Sequence, residues 1–144
     1  MVCHGNICRS TMAESVLTHL VTQRGLQDNF IISSSATSRE EIGNPVHYGT
    51  VNKLRQMNIP VIPHKAVQMT KADYDYYDYI IGMDSNNMRN IGRIIGDDPQ
   101  QKVFKLLTFT GENRDVADPW YTGDFDATYR DVLAGCTALL EHIL

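Results

Sequence analysis

An unbroken apolar run at residues 79–83, Tyr-Ile-Ile-Gly-Met, is the feature that most constrains the fold of this chain. A strand with one face in water alternates apolar and polar residues, whereas a run without alternation is typical of a strand buried on both faces. Such strands belong to parallel sheets that are covered by helices on both sides. The run therefore predicts an α/β protein with a central parallel sheet.

Helix-like and strand-like patterns alternate on either side of this run. Helices are predicted near residues 12–21, 46–57, 88–95 and 129–143, and strands at 30–34 and 103–107. We therefore predict a single domain over residues 1–144, with a parallel sheet of about four strands flanked by helices on both faces. In such sheets functional residues lie on the loops at the carboxyl ends of the strands.

A shorter helix opens at Thr70, where Thr70-x-x-Asp73 resembles a capping box. Its tyrosines, Tyr74, Tyr76 and Tyr77, alternate with aspartates. We interpret this segment as a solvated helix face.

Residues 3–10 read Cys-His-Gly-Asn-Ile-Cys-Arg-Ser and lead directly into the first predicted helix. Five residues between a thiol and a guanidinium can form a loop whose N–H groups all point at one tetrahedral anion, and the helix N-terminus adds to the same field. This field favours the thiolate of Cys3, and Arg9 can hold two phosphate oxygens at once. Gly5 and Asn6 readily take the positive φ that such a loop needs. The octapeptide therefore predicts attack on phosphorus.

The Cys-x5-Arg spacing alone is weak, since on the order of one chain in ten of this length contains it by chance. An ordinary turn between a buried cysteine and a surface arginine is the alternative. A second motif, Asp118-Pro119-Trp120-Tyr121, offers a carboxylic acid followed by two aromatic rings. Asp-Pro is by itself a common turn opener, so this motif gains meaning only beside the first.

The octapeptide resembles the signature loop of the low-molecular-weight protein tyrosine phosphatases, whose pattern is Cys-x-Gly-Asn-x-Cys-Arg-Ser. In that family an Asp-Pro followed by two aromatic residues supplies the general acid, and residues 118–121 stand in the corresponding place. Similar stretches at 34–38, 41–45 and 82–84 extend the resemblance over nearly the whole chain. It implies a flavodoxin-like fold and hydrolysis of phosphotyrosine or small aryl phosphates through a phosphocysteine intermediate, with no metal and no cofactor.

The resemblance also implies a role for individual residues. Cys3 is the nucleophile, Arg9 holds the phosphate oxygens, and Asp118 is the general acid. The remaining implied residues are His4, Gly5, Asn6, Ile7, Cys8 and Ser10 in the phosphate loop, Ser34 and His64 in its supporting network, and Glu40, Trp120 and Tyr121 at the rim. His64 fits an ordinary satisfied histidine equally well. Glu40 stands where the family often has an aromatic residue, which disfavours acidic peptides and leaves substrate preference open.

The composition of the chain limits the classes of partner that it can bind. The chain has 144 residues and a net charge of −4, so no global basic field recruits nucleic acid, and no run is long enough to span a membrane. We expect phosphotyrosine proteins or aryl phosphates as partners, inorganic phosphate or sulfate in the loop, and a monomer or weak dimer.

The cysteines indicate the compartment. Three cysteines, two of them in one loop, do not form a disulfide scaffold and suit a reducing environment. No signal-peptide pattern precedes the first motif, so we expect a cytoplasmic protein, with secretion by a signal-independent route left open. In the resembled family a residue such as Cys8 can form a reversible disulfide with the nucleophile, and a small apolar filler is the equal alternative. Cys136 lies on the apolar stripe of the last helix and is predicted in the core.

Three other functions compete with tyrosine phosphatase. Protein-arginine phosphatases share the scaffold but typically carry threonine in place of Ile7. Thioredoxin-linked arsenate reductases need further downstream cysteines, and this chain has only Cys136. A non-catalytic phosphoprotein-binding module is the alternative outside enzymes, although intact Cys3, Arg9 and Asp118 speak against it.

The first strand departs from the expected pattern. A strand of about five or six residues is usual before such a loop, but only Met1 and Val2 precede Cys3. We therefore expect the first strand to be nearly absent from this sequence.

Overall fold

The fold was described from a computed structural model that covers residues 1–144. The strands are β1 (Val2–Cys3), β2 (Ser35–Ala36), β3 (Ile80–Gly82) and β4 (Val103–Lys105), and the helices are α1 (Arg9–Gln23), α2 (Tyr48–Gln56), α3 (Ala72–Tyr76), α4 (Ser85–Ile95), α5 (Pro119–Thr122) and α6 (Phe125–Ile143). Short 3₁₀ segments occupy Gln27–Asn29 and Leu106–Thr110. All strand pairs are parallel, so the predicted α/β fold with a four-stranded parallel sheet is confirmed.

The strand order β2-β1-β3-β4 determines where a site can form. After β1 the chain forms β2, which pairs with one edge of β1, and later it forms β3, which pairs with the opposite edge of β1. The strand order therefore reverses between β1 and β3, and crevices at such a switch point bind ligands in open α/β sheets. The loop after β1 and Asp84 after β3 both end at this crevice.

Adjacent residues in the central strands point to opposite faces of the sheet. Cys3 and Ile81 join the larger core, which α1, α2 and α6 cover. Val2 and Ile80 join a second cluster that includes Ile91 of α4. The sheet is therefore buried on both faces, as the apolar run at 79–83 predicts. None of the helices is both long and apolar enough to cross a bilayer.

β1 is as short as expected, but it is central. It pairs Val2 with both Ser35 and Gly82. Met1 extends the ladder, since its ammonium donates to the Ser33 carbonyl at 2.9 Å and its carbonyl accepts from the Ser35 N–H at 3.0 Å. A cleft of about 390 Å³ lies beside Met1.

Two predicted strands have different bounds in the structure. The strand predicted at 30–34 is wrong, because β1 pairs with Ser35–Ala36 instead. β4 ends at Lys105, where its pairing with β3 ends, and the chain continues as a 3₁₀ turn rather than as strand to residue 107.

The interpretation of the tyrosine-rich segment as a solvated face is wrong for one of its tyrosines. Tyr74 is buried, and its hydroxyl donates to Asp98 at 2.6 Å. Tyr76 is exposed. The expected capping box is half formed, because the Thr70 N–H donates to the Asp73 carboxylate at 2.9 Å.

Candidate active site

The loop between β1 and α1 has the conformation of an anion cradle. Asn6 has a φ of 59°, the left-handed conformation that the sequence predicts. Gly5 does not have a positive φ, so that part of the prediction is wrong. A Cβ at this position would lie 3.3 Å from Cγ of Glu41, a tight contact that a small shift of the Glu41 side chain would relieve. The N-cap residue Cys8 makes no side-chain cap, so no side chain of that residue competes for the first N–H groups of α1.

The Cys3 sulfur has two hydrogen-bond partners, the Asn6 N–H and the Ser10 hydroxyl. The Asn6 N–H donates to Cys3 Sγ at 3.3 Å, and Ser10 Oγ lies 3.1 Å from the sulfur. The Asn6 side-chain amide donates to Ser10 Oγ at 2.8 Å, which uses that oxygen as an acceptor and leaves the hydroxyl proton free. Both groups can therefore donate to a thiolate at Cys3.

Asn6 is also the centre of the loop's support. Its Oδ1 lies 2.6 Å from Nε2 of His64 and accepts from the Val67 N–H at 3.1 Å. His64 is thus in direct contact with the loop. The Ser34 hydroxyl instead donates to the buried Glu14 of α1 at 2.5 Å and makes no hydrogen bond to the loop.

Arg9 is a buried cation held by three oxygens. Its guanidinium donates to Asp84 at 2.7 Å and to the Val116 carbonyl at 2.9 Å from one nitrogen, and to Asp118 at 3.3 Å from the other. Burial alone disfavours the cation, but the Cys3 and Asp118 charges and the Asp84 hydrogen bond outweigh it and raise the pKa of Arg9. The guanidinium is therefore a fixed positive charge at the base of the site.

Asp118 is the N-cap of the one-turn helix α5. One carboxylate oxygen accepts from the Trp120 N–H at 3.0 Å, and the other accepts from Arg9. Pro119 at the first helical position suits this cap because it has no N–H to satisfy. The turn leaves Trp120 and Tyr121 60% and 84% exposed, as expected of rim residues.

A pocket of about 100 Å³ joins these groups. It is lined by Cys3, His4, Gly5, Ile7, Cys8, Arg9, Glu40, Glu41, Asp118, Trp120 and Tyr121. Every lining residue except Glu41 is one that the sequence indicates. Asn6 and Ser10 support the pocket from beneath.

The rim of the pocket carries acidic groups. Glu40 Oε2 lies 2.9 Å from Nε2 of His4, and both side chains are exposed. Glu41 accepts from the Asn44 side chain at 2.5 Å. The mouth of the pocket is therefore more acidic than its base.

The other two cysteines are buried. Cys8 packs with Ile7 and Ala66, and burial, followed by the charge of Cys3, raises its pKa to about 12. Cys136 is fully buried in the core, as predicted. All three thiols are free.

Sequence reasoning missed two partners of Arg9. Asp84 carried a usable signal, because a carboxylate directly after a buried strand lies at the carboxyl edge of the sheet. The Val116 carbonyl carried none, since every residue type has one.

The site places the Cys3 thiol and the buried Arg9 guanidinium on one loop at the switch point, and Asp118 faces the guanidinium. This arrangement defines the class of cysteine-dependent phosphatases. Comparison with known proteins agrees. Residues 1–144 match the family model of the low molecular weight phosphotyrosine protein phosphatases, and the chain belongs to this family.

Similar proteins are found among curated sequences and solved structures. The low molecular weight protein-tyrosine-phosphatase PtpA of Staphylococcus epidermidis is 38% identical over 144 residues, covering 99% of this chain and 91% of that protein. The crystal structure of YfkJ from Bacillus subtilis is 36% identical with a TM-score of 0.94, covering 99% of this chain and 91% of that one. The low molecular weight protein tyrosine phosphatase from Streptococcus pyogenes is 39% identical with a TM-score of 0.89, covering 99% and 90% of the two chains.

Proposed function

We propose that this protein hydrolyses phosphotyrosine at the pocket above α1 in two displacements on phosphorus. In the first, the Cys3 thiolate attacks phosphorus, an S–P bond forms, and the bond from phosphorus to the phenolic oxygen breaks. In the second, water attacks the phosphocysteine, the S–P bond breaks, and inorganic phosphate leaves. The sulfur returns as a thiolate facing the Asn6 and Ser10 donors.

Arg9 binds two equatorial oxygens in this proposal, together with the loop amides. Asp84 and Val116 hold the guanidinium in place before substrate arrives, so little reorganisation is needed as charge develops in the transition state.

Asp118 is the proton carrier. In the first step the protonated carboxyl gives its proton to the leaving phenolate oxygen, and in the second the carboxylate takes a proton from the attacking water. The observation that carries the proposal is the placement of Cys3, Arg9 and Asp118 on one small pocket, with Asp118 bonded to Arg9 at 3.3 Å.

The substrate class follows from the rim. Ile7 of the loop and the exposed rings of Trp120 and Tyr121 offer apolar surface to a phenyl ring. Glu40 and Glu41 repel acidic residues next to the phosphotyrosine. We therefore propose neutral or basic phosphotyrosine peptides and small aryl phosphates as substrates, with inorganic phosphate or sulfate as ligands of the loop.

The alternatives receive less support. Ile7 stands where arginine phosphatases typically have threonine, and its apolar side chain suits an aryl group better than a guanidinium. Cys136 is buried under α1, with its thiol 3.7 Å from the Ala13 carbonyl, which does not suit a disulfide relay for arsenate reduction. A binding module needs no buried nucleophile with two donors.

Compartment and assembly are also proposals. Three free thiols suit a reducing compartment, so we propose a cytoplasmic protein. We propose a monomer or weak dimer, which gel filtration over a range of concentrations tests.

The decisive assay uses the purified chain, p-nitrophenyl phosphate and EDTA. We expect turnover that Cys3→Ser abolishes, whereas Cys136→Ser, a matched change of a buried thiol away from the pocket, retains it. Full activity in Cys3→Ser would contradict the proposed mechanism. Equal rates on phosphotyrosine and phosphoarginine peptides of one sequence would overturn the tyrosine preference.

A further inference from the structure

We infer that His47 positions the acid segment, residues 118–124, over the phosphate loop. This inference rests on the proposed role of Asp118 as the general acid. His47 is not a lining residue of the pocket, so it acts through its neighbours rather than on the substrate.

The backbone of His47 is fixed to the phosphate loop. Its N–H donates to the Ile7 carbonyl at 2.8 Å. Three residues further on, the Thr50 hydroxyl donates to the Cys8 carbonyl at 3.2 Å. The start of α2 is therefore bonded to the loop at two neighbouring carbonyls, and any group that this segment carries keeps a constant position relative to the nucleophile loop.

The His47 ring is oriented by its own helix. Its Nδ1 accepts from the Gly49 N–H at 3.0 Å, which makes the imidazole the N-cap of α2. Tyr48 stacks on the same ring with centroids 4.4 Å apart. The imidazole is thereby held in one rotamer before it meets the acid segment.

The His47 ring contacts Trp120 of the acid segment and Phe125, the residue that directly follows the segment. Trp120, two residues after Asp118, meets the His47 ring edge-on with centroids 5.9 Å apart. Phe125, the first residue of α6, stacks on it at 5.6 Å. Phe125 also lies against Gly49, where an added Cβ would come within 2.3 Å of the phenyl ring. Between these contacts the segment turns through Gly123 at a φ of 68°.

Trp120 has little else to hold it, because it is 60% exposed. Its backbone N–H is bonded to the Asp118 carboxylate, so a displacement of Trp120 moves the acid directly. His47 therefore holds the acid segment in a fixed position relative to Cys3 and Arg9.

The test compares two leaving groups. Phenol has a pKa of about 10 and needs a proton as it leaves, whereas p-nitrophenolate is a much weaker base and needs less help. We expect His47→Ala to lower kcat/KM for phenyl phosphate by about tenfold or more and kcat/KM for p-nitrophenyl phosphate by about threefold or less, since kcat/KM reports the first step, in which the leaving group departs. Competitive inhibition by inorganic phosphate depends on the loop and on the opposing charge of Asp118, and we do not expect it to weaken in His47→Ala, because the loop is intact.

Two further variants separate the ring contacts from the helix cap. His47→Asn keeps a capping side chain without the ring stack, and His47→Phe keeps the stack without the cap. The inference requires His47→Asn to lose more activity on phenyl phosphate than on p-nitrophenyl phosphate, as His47→Ala does. It also requires His47→Phe to recover activity on phenyl phosphate. The reverse pattern, or weakened phosphate inhibition in all three variants, overturns it in favour of a structural role in α2.

The tryptophan gives a readout that does not depend on activity. The chain contains one tryptophan, so its fluorescence anisotropy reports the Trp120 side chain alone. We expect lower anisotropy in His47→Ala and a wild-type value in His142→Ala, a histidine that packs on Phe109 instead. Unchanged anisotropy in His47→Ala contradicts the inference. A wild-type protein inactive on both substrates refutes the proposed function itself, a distinct result.

Discussion

Arg9 and Asp118 lie 109 residues apart in the chain and share a hydrogen bond of 3.3 Å at the base of the pocket. The pair joins the group that binds the anion to the group that moves the proton. The Asp118 carboxylate also places a negative charge where the substrate's phosphate must bind.

The Asp118→Asn variant tests both consequences of this pair. Removing the charge stops one carboxylate from competing for the guanidinium, so we expect inorganic phosphate to inhibit about threefold or more tightly. Removing the acid lowers kcat for phenyl phosphate by about a hundredfold. Steady-state kinetics with phosphate as a competitive inhibitor measures both, and Asp97→Asn on the surface is the control. Weaker phosphate binding in Asp118→Asn contradicts the pairing.

Arg9→Lys tests the fixed guanidinium. An ammonium is a single point of charge and cannot keep the Asp84 and Val116 contacts while presenting two donors to an anion. We expect kcat/KM for p-nitrophenyl phosphate to fall by about a thousandfold, within the range reported for transition-state anion clamps. Arg93→Lys, on the exposed side of α4, serves as the matched control. A loss of less than about tenfold in Arg9→Lys would show that the amides alone bind the anion.

The thiols are expected to react selectively. Because burial raises the pKa of Cys8 to about 12, that thiol stays protonated at neutral pH, and Cys136 has a pKa raised to about 12 for the same reason. Cys8 also lines the pocket, but only the Cys3 sulfur lies beside the Asn6 N–H and the Ser10 hydroxyl. Mass spectrometry after brief treatment with iodoacetamide at neutral pH is expected to find one alkylated peptide, at Cys3, and phosphate protects it. Equal labelling of Cys8 contradicts this expectation.

The sequence indicates most of the pocket because the loop is local. Cys3, Asn6 and Arg9 lie within seven residues, so their spacing alone restricts how they can surround an anion. Asp118 is distant, and only its aromatic neighbours distinguish it from a turn residue. Glu41 required the tertiary structure, since nothing in the sequence shows that it faces the loop, whereas the position of Asp84 directly after a buried strand was a signal that could have been used.

Strand bounds were the weaker part of the prediction. The run at 30–34 has strand composition, yet pairing depends on where a partner strand lies, and β1 meets Ser35–Ala36. Burial of Tyr74 was missed for a similar reason. Its partner Asp98 lies beyond α4, and local alternation with aspartates pointed to solvent.

Asn6 combines a backbone role with a side-chain role, and two variants separate them. Asn6→Gly tolerates the φ of 59° but loses the side-chain bonds to Ser10, His64 and Val67. Asn6→Ala loses the bonds and also strains the backbone. We expect both to lose about tenfold or more in kcat, because the Ser10 proton is no longer directed at Cys3. Thermal unfolding separates them, with Asn6→Ala less stable by about 1 kcal/mol. Equal stability of the two shows that the loop relaxes out of the left-handed conformation.

Asp98 gives a pH-dependent contribution to stability away from the active site. Burial alone raises its pKa, but hydrogen bonds from Tyr74 and from the N–H groups of Lys102 and Val103 outweigh it and hold the pKa below the ordinary 3.8. A depressed carboxyl pKa in the folded state stabilises the protein above the unfolded pKa, and this contribution is lost as the pH falls through the folded pKa.

Asp98→Asn should therefore lower the free energy of unfolding at pH 7 by about 1–3 kcal/mol, since it removes a charged acceptor from three donors. The gap between wild type and variant should narrow as the pH falls below about 3.8, because protonation of Asp98 then favours the unfolded chain, in which the carboxyl has its ordinary pKa. Urea unfolding at a series of pH values measures this gap, and Asp97→Asn, an exposed neighbour, controls for the loss of a surface charge. A gap that stays constant between these pH values would show that the Tyr74–Asp98 contact stabilises the fold through packing rather than through the carboxylate charge.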